Sequence, residues 1–150
     1  MRVLDAIMTA EEKMHGKKDF FLCSCFASLK DFLPAAEWTV IFYNTKSRSV
    51  IECTCDGKST EISVESPALQ ESERLDRALI MKDDAYAINK AKEDFEGRLV
   101  NLLVSLHTKG GRTVWTLSAV THELSVTIYD IDAVTGEILR KETSGLVRRA

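Results

Sequence analysis

Four thiols, three imidazoles and one acidic turn are the residues in this chain whose types could do chemistry. The cysteines fall into two C-x-C pairs, Cys23-Ser24-Cys25 and Cys53-Thr54-Cys55. Four thiolates make the ligand set of a structural tetrahedral zinc, so Cys23, Cys25, Cys53 and Cys55 are the candidate metal ligands. Zinc pairs are ordinarily separated by two to four residues at a tight turn. A single intervening residue, on a strand, sets both side chains on one face about 6.6–6.8 Å apart along the backbone. Side-chain rotation can close that gap. The competing reading is that free cysteine behaves as a small apolar side chain and is among the most buried residue types. Buried thiols are favoured here over a metal and over redox or disulfide chemistry. No cofactor is therefore expected, and zinc is the alternative.

The other polar candidates are weaker still. His15, His107 and His122 are scattered, with no ligand spacing among them. A nucleophile–base pair such as Cys25 with His107 could meet only in space, and no catalytic residue is expected. Asp130, Asp132 and Glu137 form an acidic group around a turn, short of the six to eight oxygens that calcium takes. Lys109-Gly110-Gly111-Arg112 is superficially like a phosphate loop. It lacks the strand–loop–helix setting and the Gly-Lys-Ser/Thr ending such loops need. Trp38 and Trp115 read as core aromatics rather than ligand platforms, and Arg148-Arg149 as a solvated tail.

The elements that must position these residues come from periodicity and turn chemistry. Ala6-Ile7-x-x-Ala10-x-Glu12 recurs as Ala87-Ile88-x-x-Ala91-x-Glu93, and Trp38-Thr39 recurs as Trp115-Thr116. Each half thus starts with a small-residue helix and continues into β-rich sequence. Asp83 or Asp84 can cap the second helix, whose stripe is Ala87, Ile88, Ala91 and Phe95, with Gly97 as its stop. Residues 99–106 fit either a helix or a strand. Strand is preferred because Lys109–Arg112 follows as a hairpin turn before Thr113–Val120. A further strand runs over about 124–131, and the turn Asp132-Ala133-Val134-Thr135-Gly136 leads into a return strand over 137–141.

In the first half, residues 20–29 alternate with Phe21, Cys23, Cys25, Ala27 and Leu29 on one face, although the stretch to residue 33 also fits a helix. Strands over 38–43 and 49–55 flank the turn Asn44–Arg48, and Asp56-Gly57 leads to 59–64. On this meander one strand separates the two cysteine pairs by roughly 9–10 Å, beyond disulfide reach. Ser66-Pro67 reads as a helix N-cap followed by Pro at the first helical position, so 66–82 is expected to be a helical linker.

The segments Ala87-Ile88-x-x-Ala91, Val100–Leu106, Val114-Trp115, Val126–Tyr129 and Ile131-Asp132-Ala133-x-Thr135-Gly136-Glu137-Ile138 together resemble a PepSY domain. The resemblance is clearest over 83–142, with a fainter copy over 1–64 that lacks the Asp-Ala-x-Thr-Gly turn. It implies an α+β fold of two tandem helix-plus-antiparallel-meander units, PepSY- or cystatin-like, in which a curved sheet packs over a helix. The expected organisation is an N-terminal half over 1–65, the linker, and a PepSY-like half over 83–150. The family implies modulation of peptidases.

Composition bounds the remaining possibilities. A net charge of −3 gives no basic surplus for nucleic acid, and no apolar run is long enough for a membrane span. Asp5, Glu11 and Glu12 interrupt the N-terminal apolar stretch before it could serve as a secretory signal, so a cytoplasmic location with reduced thiols is expected. The functional expectation is a non-enzymatic binding or regulatory module for a peptide or protein, with self-association as a variant. A cysteine-based metal or thiol enzyme and a small-molecule carrier are the alternatives.

Overall fold

The computed structural model describes residues 1–145, and Arg148-Arg149 lie outside them. Two helices cover one side of a nine-stranded antiparallel sheet. In chain order the elements are α1 (Val3–Lys13), β1 (Phe20–Leu29), β2 (Trp38–Asn44), β3 (Ser49–Cys55), β4 (Thr60–Ile62), β5 (Ser66–Pro67), α2 (Asp84–Asp94), β6 (Leu99–Lys109), β7 (Arg112–Thr121), β8 (Ser125–Asp132) and β9 (Ile138–Gly145). Residues 20–29 and 99–109 are strands, which resolves both ambiguous stretches. The sheet order is β4-β3-β2-β1-β6-β7-β8-β9, with β5 also on β3. The first long strand after each helix therefore meets its counterpart at the centre, and the later strands fan outward to the two edges.

The core lies between helices and sheet. Val3, Ala6, Ile7 and Ala10 of α1 and Ala87, Ile88 and Ala91 of α2 are buried against it. Alanine on these faces lets the helices approach the two largest core side chains, Trp38 and Trp115. Both indoles are fully buried, and their ring centroids stand 6.1 Å apart. Each also satisfies its N–H on the backbone just before a helix: Trp38 Nε1 donates to the Met1 carbonyl and Trp115 Nε1 to that of Lys82, at 3.0 and 2.8 Å. A buried donor left unpaired would cost about 1–3 kcal/mol.

The helix starts are joined. Asp83 caps α2 by accepting from Tyr86 N, and the buried Asp84 carboxylate accepts from Val3 N at 3.1 Å. Asp84 thus supplies to α1 the capping oxygen that its own N-cap residue, Arg2, does not. The Arg2 guanidinium pairs with Asp83 and lies 3.7 Å from Asp84.

The linker differs from expectation. Ser66-Pro67 does not open a helix; it forms β5, pairing with Val50 and Ser49. Proline suits that place, because an edge strand leaves its missing N–H unmissed. Residues 68–82 then run as a strap with a single 3-10 turn, Arg77–Leu79. Tertiary bonds hold it. Glu73 accepts from Gly110 N and Gly111 N, Leu75 N donates to the Leu22 carbonyl, and Lys82 N donates to that of Ala133. Leu75 and Ile80 anchor it in the core.

Candidate functional site: the β9 edge and the groove beside it

The cysteines are held apart. Register places Cys25 opposite Val40 and Val40 opposite Cys53, so Val40 stands between the two thiols. A bulge between Leu22 and Ser24 breaks the alternation of β1. Leu22 enters the helix-side core with Cys25, Ala27 and Leu29, while Cys23 leaves it and lies beside Ser24 and the strap residue Ser72. The expectation that Phe21, Cys23 and Cys25 share a face is therefore corrected: one extra residue shifts the pleat. Among the described residues, no group of three or more His, Cys, Asp or Glu side chains is placed to hold a metal ion.

All four thiols are buried and unpaired. Burial raises the pKa of each, that of Cys53 to about 11. The thiolate is the nucleophilic form of cysteine, and burial disfavours that form at all four positions. Cys25 and Ala27 are small side chains on the central strand, where the two indoles must fit, and Cys55 Sγ donates to the Ala6 carbonyl. Cys25, Cys53 and Cys55 belong to the apolar core, and Cys23 does not.

His107 does not meet Cys25. It pairs with Ser24 across β1–β6, while Cys25 pairs with Leu106, so the two side chains leave opposite faces of the sheet. Burial also lowers the His107 pKa, against the opposing pull of Asp130. Two of the acidic trio are taken up in separate bonds. Asp132 Oδ1 accepts from Val134 N and Thr135 N, forming the turn. Asp130 accepts from Thr116 Oγ1 and Arg140 Nε, each at 2.7 Å. Lys109–Arg112 is a hairpin, with Gly110 and Gly111 at φ +58 and +77.

The sheet's two edges are unlike. On one side the edge of β3 is covered by β4, three residues long, and by β5, which carries Pro67. Short strands and proline are devices that blunt an edge. On the other side β9 is eight residues long, exposed at every position, and contains no proline. It pairs with β8 from Gly145 opposite Ser125 to Ile138 opposite Ile131. Among the described residues no strand pairs with its outer side. In an antiparallel ladder every second residue of such a strand points its N–H and C=O away from the sheet.

The charges of β9 are tied down within the chain. Arg140 binds Asp130 and, at 2.9 Å, Glu142, while Lys141 Nζ lies 2.7 Å from Asp94 Oδ2, which also accepts from the Tyr129 hydroxyl. Those bonds lower the Asp94 pKa, with the Lys141 hydrogen bond the larger cause. Beside β9, on the face opposite the helices, His107, Arg112, Asp130, Leu139 and Arg140 line a groove of about 500 Å³. Backbone edge and side-chain groove together can take an extended segment and its side chains. Turn and strand patterns in the sequence do not single out this edge; the absence of proline after residue 67 is the one signal that points to it.

The turn that starts β9 is built on α2. Gly136 has φ +83, its N–H donates to the Asp132 carbonyl, and its own carbonyl accepts from the Tyr86 hydroxyl. The Asp-Ala-x-Thr-Gly sequence is thus a docking point for the helix as well as a hairpin. Residues 84–142 match the family model of PepSY, the peptidase propeptide and YPEB domain. The resemblance read over 83–142 stands. The PepSY span holds α2, β6, β7, β8 and β9 as far as Glu142. None of the curated proteins compared matches the chain. Among solved structures, a crystal structure from Clostridium difficile 630 described as a "putative lipoprotein" matches with a TM-score of 0.64 and 16% identity, over 96% of this chain and 93% of that one. At that identity the two share a fold. No helix among the described residues is long and apolar enough to cross a membrane.

Proposed function

We propose that this protein is a non-enzymatic binding or regulatory module that takes an extended peptide or protein segment as an added strand on β9. The observation that carries the reading is the eight-residue, proline-free edge, set against a far edge guarded by short strands. In β-strand addition, main-chain bonds supply affinity and alternate side chains supply specificity. The groove lined by His107, Arg112 and Leu139 would receive those side chains. The PepSY match supports a propeptide-like role for this chain, which makes a peptidase or its substrate segment the first class of partner to test.

Two finer readings go with it. We take the chain to be two PepSY-like units, the first over about 1–64. Sheet order that runs outward from a central β1–β6 pair and the two equivalent indole bonds support this. We also place the protein in a reducing, cytoplasm-like compartment, supported by four unpaired thiols.

The test is selection of ten-residue peptides from a displayed random library against the full chain, followed by binding to Lys141→Pro. Selected peptides should be rich in β-formers and lose binding to the proline variant while its melting stays cooperative. Peptides that bind the variant as well as the parent would refute docking at β9.

A further inference from the structure

An open edge strand is a template for any strand, including its own copy. The sequence of β9 is self-complementary in one register. Arg140 and Glu142 are two residues apart, so they project from the same face, with Lys141 between them projecting from the other. When two β9 strands meet antiparallel about a two-fold axis normal to the sheet, residues opposite each other must share a face. Their numbers then sum to an even value, and the axis passes midway between the two copies of one residue.

Centring the axis on Lys141 puts Arg140 of each copy opposite Glu142 of the other. The pair Arg140–Glu142 already within one chain becomes an alternating four-charge ring across the axis. Opposite charges directly across strands stabilise a ladder, and like charges oppose it. The two Lys141 side chains meet at the axis on the helix side, each already bound to its own Asp94. Moving the axis by one residue, to Arg140 or Glu142, removes both attractive pairs and sets Arg140 or Glu142 against its own copy, whereas the lysines that meet in the Lys141-centred register are each paired with an Asp94.

We propose that β9 pairs with β9 of a second copy of this chain in this Lys141-centred register, so that self-association and a partner segment compete for one edge. This rests on the reading of β9 as a docking edge and adds its regulation. One strand pair is small against the roughly 1,200–2,000 Å² of a stable interface, so the dimer is a weak one, with Kd on the order of 0.1–1 mM. That weakness makes it displaceable by a partner that also fills the groove.

Sedimentation of the full chain from about 10 µM to 1 mM should show a reversible monomer–dimer equilibrium. Arg140→Glu and Glu142→Arg should each weaken it about tenfold, since each turns both cross-axis pairs repulsive. An equimolar mixture of the two variants should dimerise again, because every pair across the axis is then attractive. Arg140→Glu also faces Asp130, so cross-linking provides a second measurement. A short bismaleimide should join two copies of Lys141→Cys but not of Gly145→Cys, whose added thiols lie far apart in this register. Monomer at every concentration, or a mixture that fails to dimerise together with no link at position 141, overturns the proposal. A monomer whose β9 still binds library peptides sinks self-pairing alone. Loss of both sinks the docking edge itself.

Discussion

Substituting Gly136 by alanine should damage the protein through two separable causes. The first is backbone: at φ +83 an L side chain costs about 1–2 kcal/mol. The second is Tyr86. An added Cβ would stand 2.7 Å from Tyr86 Cζ and 2.8 Å from Cε1, closer than real Cβ contacts come. The ring must move, and moving it gives up the 3.1 Å bond from its hydroxyl to the Gly136 carbonyl. A lost bond of that kind is worth about 0.5–1.5 kcal/mol. Gly136→Ala should therefore destabilise by about 2–3 kcal/mol, read from urea unfolding midpoints at constant slope. In a Tyr86→Ala background, where no ring is struck and no bond remains to lose, the same change should cost only the backbone part. A double-mutant cycle should thus give a coupling of about 1 kcal/mol. Equal cost in both backgrounds would refute the docking of this turn on α2.

Three further outcomes follow from the packing. Asp84→Ala removes the acceptor for Val3 N–H and should cost about 1–3 kcal/mol, with hydrogen exchange rising first at the start of α1; unchanged exchange there would count against the shared helix start. Native protein at pH 8 should leave Cys25 and Cys53 unmodified by a disulfide reagent until denaturant is added, and rapid native labelling of either would contradict their packing role. The pKa of Cys53 is raised by folding from 9.0 to about 11, so the folded state holds that proton more tightly. Its contribution is complete below about pH 9 and declines as pH rises toward 11, a slope that Cys53→Ala should flatten in unfolding midpoints measured across that range.

Much of the sheet is written in local sequence. Asn44–Arg48, Asp56-Gly57, Gly110-Gly111 and Asp132–Gly136 each carry their own turn chemistry, and the strands between them alternate. The second helix is equally legible, since Asp83 caps it where expected. What escapes local reading is set by partners far along the chain. The bulge at Cys23 reassigns Phe21 and Cys23 although nothing in their alternation signals it. The strap reads as a helix in sequence because Ser66-Pro67 has the form of an N-cap followed by proline at the first helical position. Glu73 instead finds two backbone donors 37 and 38 residues away, and Leu75 completes the edge of β1. Asp84 capping a helix 81 residues distant is the same kind of event. In β8 the buried members are Thr127, Tyr129, Ile131 and Asp132, and Leu124, at φ +57, belongs to the preceding turn. For the thiols the expectation of separation by an intervening strand corresponds to Val40 between Cys25 and Cys53.

The most direct test of β9 as a docking edge is amide mapping with one library-selected peptide, followed by nitrogen–proton correlation spectra through saturation. Shifts concentrated in 138–145, with smaller ones at His107, Arg112 and Asp130 and slowed exchange at alternate β9 amides, are the expected result. Saturable binding that leaves every β9 amide unmoved would contradict it.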